Sequence, residues 1–167
     1  AAQRMPLAMA ALAQTLKAND LVVDAVETEV NGDFGDALAM RGVIDMLARD
    51  RQGASVILDQ KWSRRERYRV EELEKGHAVQ LATYRALLGR PDVAGAGYFM
   101  LRQGQFLTLE DCGLAGRAVK GPDLDETWVN VAESWRLLRA AAEAGALVAC
   151  GVEGSEQLLP EELPLRL

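Results

Sequence analysis

Two apolar runs separated by a single turn constrain this chain more than any other feature. The first lies within Ala37 to Arg49 and contains Leu38-Ala39-Met40-Arg41-Gly42-Val43-Ile44-Asp45-Met46-Leu47. The turn is Asp50-Arg51-Gln52-Gly53. The second run is Ala54 to Trp62, Ala54-Ser55-Val56-Ile57-Leu58-Asp59-Gln60-Lys61-Trp62. Short apolar runs bounded by turn residues read as two neighbouring buried strands joined by a hairpin loop. Buried strands need cover, and helices can supply it.

Leu7 to Lys17, rich in Ala and Leu, reads as one such helix. Val70 to Leu88 reads as a second, with Leu73, His77, Leu81, Tyr84 and Leu88 on one stripe. Thr127 to Glu143 reads as a third, its stripe set by Trp128, Val131, Trp135, Leu138 and Ala142. All three tryptophans are expected to pack, Trp128 and Trp135 through this seven-residue core spacing. Leu21 to Val30 mixes Val with acidic residues and reads as a largely solvated edge strand, where Glu27 and Glu29 are solvated charges. Asn31-Gly32-Asp33 predicts a turn after it. Gly95 to Leu109 reads as strand, turn and strand, and Leu114 to Asp123 as loop. The predicted order is α-β-β-β-α-β-β-α, an α/β (α+β) fold with a mixed central sheet flanked by helices. Residues 1–151 form the expected single domain, and the weakly periodic 152–167 an expected mobile tail.

Composition excludes several classes. The chain has 167 residues, 49% apolar and 26% charged, with a net charge of −6. Such a balance is that of a globular domain, not a disordered or collagen-like one. No apolar run approaches the roughly 20 residues that cross a bilayer, so a soluble protein without a membrane partner is expected. Cys112 and Cys150 are too few for a disulfide scaffold or a four-cysteine metal site. They read as isolated thiols in a reducing compartment, which predicts a cytoplasmic location. The start, Ala1-Ala2-Gln3-Arg4-Met5, carries no signal pattern and reads as a domain cut from a longer protein.

Three charges sit inside the apolar runs. A buried charge is costly unless a partner or a metal compensates it. Asp59 and Lys61 are two apart, so a strand points both to one face. A hairpin brings Asp45 toward Asp59, where two repelling carboxylates favour a divalent cation. An oxygen-rich, sulfur-free set favours Mg²⁺ or Mn²⁺ over zinc. Just downstream, Lys61, Arg64, Arg65, Arg67 and Arg69 form a basic cluster placed to meet phosphate. His77, the sole histidine, reads as a helix residue and not a catalytic one.

In chain order, Gly42-Val43-Ile44-Asp45, Ile57-Leu58-Asp59-Gln60-Lys61 and Gln80-Leu81-Ala82-Thr83-Tyr84 resemble three motifs of the PD-(D/E)XK nuclease superfamily. The nearest pattern is that of its RecB-like branch: a Gly-x-x-Asp strand, an Asp-x-Lys strand and a Gln-x-x-x-Tyr helix. The resemblance covers about Leu7 to Leu109 and implies a restriction-endonuclease-like core of order α-β-β-β-α-β. It implies that Asp45, Asp59 and the Gln60 carbonyl bind Mg²⁺ or Mn²⁺, and that Lys61 is the catalytic lysine. It also implies that Gln80 and Tyr84 line the cleft and contact phosphate or orient the metal ligands; Arg64, Arg65, Arg67 and Arg69 of the basic cluster are the expected substrate contacts. The implied reaction is metal-dependent hydrolysis of DNA phosphodiester bonds. Three positions depart from the pattern. Trp62 stands where Thr or Ser usually follows the lysine, Gln60 replaces an aromatic, and the first helix has no histidine.

Three functions compete at this point. The first is a nuclease domain of a larger DNA repair or recombination protein, with a helicase region in the same parent chain. The second is a nuclease-fold domain without activity that binds nucleic acid or scaffolds a partner. The third is an unrelated α/β domain in which Asp45, Asp59 and Lys61 form a buried salt-bridge network.

Overall fold

The computed structural model describes residues 4–34, 38–89 and 92–146. It divides into two compact units, Ala1–Glu133 and Ser134–Leu167. The first holds every described strand. The expected boundary at 151/152 and the tail beyond it lie outside the described residues, as does Cys150.

The elements run α1 (Arg4–Ala18), β1 (Val22–Phe34), β2 (Leu38–Arg49), β3 (Ser55–Lys61), α2 (Arg67–Glu74), α3 (Val79–Leu88), β4 (Val93–Met100), β5 (Gln105–Leu109), β6 (Arg117–Val119) and α4 (Leu124–Glu143). A short 3-10 turn, Glu110–Cys112, precedes β6. All six strands join one sheet in the order β1-β2-β3-β4-β5-β6. β3 pairs with β4, and β5 with β6, in parallel; the other pairs are antiparallel. The sheet is therefore mixed, as the sequence predicts.

Alternation along β3 divides the core into two. Val56 and Leu58 join Leu12, Met46, Ala48, Phe99 and Phe106 in one cluster, on the α1 side. Ile57 joins Leu73, Leu81, Ala82, Tyr84, Ala96 and Tyr98 in the other, on the side of α2 and α3. Both faces of β3 are covered, which is why its run is apolar without interruption up to Asp59.

The structure corrects four expectations. The predicted single helix over Val70 to Leu88 is two helices. Gly76 adopts φ +66, its N–H bonds the Leu73 carbonyl at 3.3 Å, and the His77 N–H bonds the Glu72 carbonyl at 2.7 Å. This pair of bonds around a left-handed glycine is a Schellman helix stop. Asn31-Gly32-Asp33 is no turn: all three residues pair with β2, and β1 runs on to Phe34 opposite Leu38. The predicted loop Leu114 to Asp123 contains β6, because its backbone completes a ladder along β5. The tryptophans are not all buried. Trp128 meets Phe34 edge-on at 5.0 Å, but Trp62 and Trp135 are exposed, as is Leu138 from the same predicted stripe.

Candidate active site

The β2–β3 ladder is regular from Arg49↔Ser55 to Met46↔Leu58 and then stops. Asp45 and Asp59 are the next residues in that register. There the Asp45 side chain takes over the ladder's role: its Oδ2 accepts the Gln60 backbone N–H at 2.7 Å. Two strands parting at this point leave a notch flanked by both carboxylates.

Asp59 is 1% exposed. The Lys61 ammonium pairs with its Oδ2 at 2.5 Å, while Oδ1 is buried with no hydrogen-bond partner. Burial pushes the Asp59 carboxyl above its usual range, and the Asp45 charge adds to this. The Lys61 pairing and the Arg69 charge oppose it without reversing it. A buried carboxylate with one unbonded oxygen is an expensive group to keep. Its oxygens, beside those of Asp45, suit a hard divalent cation. Among the described residues no group of three or more His, Cys, Asp or Glu gathers, so further ligands must come from the main chain or solvent.

From Lys61 a hydrogen-bonded chain crosses to α3 and back to β2. Lys61 Nζ donates to Gln80 Oε1 at 2.9 Å, and Gln80 Nε2 donates to the Tyr84 hydroxyl at 2.8 Å. The Tyr84 hydroxyl donates to the Val43 carbonyl at 2.6 Å. Gln80 and Tyr84 are one turn apart on α3, the spacing at which two side chains meet. Gly42 makes room for the tyrosine: a Cβ there would lie 2.7 Å from Tyr84 Cε1. The glycine of the first motif thus serves the tyrosine of the third.

The arginines fare differently. Arg64 is exposed on the loop after β3, where Gln103 Nε2 holds the Ser63 and Arg64 carbonyls at 3.3 and 3.4 Å. Arg65 and Arg67 both donate to the Tyr68 hydroxyl, at 3.1 and 3.4 Å, and Arg67 more than any other group lowers that phenol's pKa. Arg69 turns inward and pairs with Glu72. His77 is exposed in the break between α2 and α3; Glu27 and Glu29 are exposed too, the latter paired with Arg41.

Sequence reasoning missed Glu72 and Tyr98, which adjoin the site. Tyr98 lies opposite Asp59 across the β3–β4 pair, a parallel register that no local pattern announces. Glu72 had a signal, being three residues after Arg69 on what proves to be the same helix.

Residues 1–150 match the sequence pattern of the PD-(D/E)XK nuclease superfamily. The chain belongs to that superfamily. No curated protein matches it. Membership agrees with the mixed sheet flanked by helices. Among the described residues no helix is long and apolar enough to cross a membrane.

Proposed function

We propose that this domain hydrolyses DNA phosphodiester bonds with the help of Mg²⁺ or Mn²⁺, as a RecB-like nuclease within a larger DNA repair or recombination protein. One observation carries the reading: the buried Asp59 carboxylate pairs with a lysine that is itself tied, through Gln80 and Tyr84, to the β2 backbone. A structural salt bridge would need no such tether. In this reading Asp45, Asp59 and the Gln60 carbonyl hold the cation, which when bound supplies Lewis acidity toward a phosphoryl oxygen.

The protein's own groups have distinct tasks. Asp59 keeps the Lys61 ammonium at the notch, and Gln80 limits its swing. Held there, the ammonium orients an attacking water and offsets negative charge that grows on the phosphoryl group. Tyr84 fixes the Gln80 amide so that its oxygen, and not its nitrogen, faces Lys61. Arg64, Arg65 and Arg67 contact the DNA backbone beyond the notch. A helicase region of the parent chain as partner, and a cytoplasmic location, belong to the same proposal.

The test is cleavage of labelled single- and double-stranded DNA with Mg²⁺, with Mn²⁺ and with EDTA. Cleavage with either cation, abolished by EDTA and by Asp45→Asn, is the expected result. Binding of DNA without cleavage under every cation would favour the inactive, nucleic-acid-binding alternative.

A further inference from the structure

Arg69, Glu72 and Tyr98 form a cluster outside the three motifs. Arg69 Nη1 donates to both oxygens of Glu72, at 2.7 and 2.6 Å. The Tyr98 hydroxyl donates to Glu72 Oε2 at 3.1 Å. Tyr98 is 1% exposed and pairs in register with Asp59. Its ring meets two cations, Arg69 at 5.3 Å from the centroid and Lys61 at 6.0 Å. The cluster therefore joins a helix-borne arginine to the same aromatic ring that the site lysine approaches.

Two features separate this cluster from a simple brace between α2 and the sheet. A guanidinium has five N–H donors; both bonds to Glu72 come from Nη1 and the guanidinium also meets the Tyr98 hydroxyl, so donors remain outside the cluster. Arg69 and Glu72 also line an open cavity of about 380 Å³, with Tyr68, Glu71, Lys75 and His77. The guanidinium is held firmly on one edge and reachable from solvent. That is the condition under which an arginine recognises a phosphate through a planar fork, and an arginine fixed beforehand loses less freedom on binding.

We propose that Glu72 and Tyr98 are positioning residues that hold the Arg69 guanidinium beside Asp59 and Lys61, so that its remaining edge receives a phosphate oxygen of the nucleic-acid substrate. The inference rests on the nuclease reading and adds to it the residue that meets the phosphate at the notch and the pair that aims it.

The experiment follows the Arg69 Nε–Hε signal by ¹⁵N NMR in the full chain, assigned by its loss in Arg69→Lys. A short oligothymidylate with Ca²⁺ is the probe. The wild-type signal should shift on titration, and Glu72→Gln and Tyr98→Phe should each weaken that response. In cleavage assays both variants should lower kcat about tenfold with oligonucleotide Kd changed less than threefold. Glu72→Gln should add nothing to the loss already caused by Arg69→Ala. Tyr98→Phe keeps the ring and removes one hydroxyl, so it tests the idea even if Glu72→Gln folds poorly. An Arg69 signal that ignores the oligonucleotide, or responds equally in both variants, overturns the proposal even where the wild type cleaves DNA. A signal that responds and depends on Glu72, in a protein that cuts no DNA, overturns the nuclease reading and leaves the phosphate clamp standing.

Discussion

Asp59 is held in the folded chain at a cost, and the sign of that cost is testable. Burial, its largest cause, raises the carboxyl's pKa above the usual value. Such a group favours folding while protonated in both states, below its unfolded pKa, and loses that favour as pH rises through the folded value. At neutral pH without cation, Asp59→Asn should therefore raise Tm by a few degrees in EDTA, and the gain should vanish near pH 4. Mg²⁺ should raise the Tm of the wild type by binding linkage and leave Asp59→Asn unmoved. A variant less stable than wild type in EDTA at pH 7 would contradict the assignment. For Lys61 the expected effect is on rate: Lys61→Ala should cut kcat/KM by on the order of 10²–10³ with the fold intact by circular dichroism. These residues were legible in sequence because each sits at a fixed offset within one element. Tyr98 was not, because its nearness to Asp59 arises only when β4 joins β3 in parallel.

Among elements, the break between α2 and α3 was misread for a physical reason. The apolar stripe Leu73, Leu81, Tyr84 continues across Gly76 with near-helical spacing, and all three are indeed buried. Periodicity reports the buried face, not backbone continuity; Glu74-Lys75-Gly76, a basic residue before a glycine, was the stop signal. Gly76→Ala should cost roughly 1–2 kcal/mol, since a side chain disfavours the left-handed region, with kcat unchanged. Gly42→Ala should differ in kind. Its Cβ would press on the Tyr84 ring, and overpacking of this sort costs typically 1–3 kcal/mol. Because Tyr84 carries Gln80 and Gln80 carries Lys61, kcat should fall as well. Thermal melts beside single-turnover rates separate the two glycines. The hairpin of β2 and β3 was legible because both runs are apolar enough to allow no other burial. The extension of β1 to Phe34 was not, since Asn31-Gly32-Asp33 has turn chemistry that pairing with β2 overrides.

At the scale of the whole molecule, net charge and local charge point in opposite directions. The chain carries −6, which repels DNA at long range, yet Arg64, Arg65 and Arg67 cluster on the segment that leaves β3. Arg65 and Arg67 share a phenol hydroxyl and not a carboxylate, so their charge remains available to a phosphate. Arg69 is already matched to Glu72, and Arg117 to Glu66. Salt sensitivity of binding should accordingly come mainly from these three arginines, with Arg69 adding one contact, rather than from the domain as a whole. Each phosphate contact to a single strand contributes about −0.7 to the slope of log K against log salt. Replacing Arg64, Arg65 and Arg67 together with Gln should flatten that slope by up to roughly 2, with the loss of affinity greatest at low salt. Arg69→Gln should change the slope by about 0.7, because it removes a single phosphate contact. Fluorescence anisotropy of a labelled oligonucleotide across a salt series, with Ca²⁺ throughout, reads both slopes. Equal slopes for wild type and the triple variant would move the backbone contacts to another face of the domain, and the Arg64–Arg67 segment would then be a solvated loop.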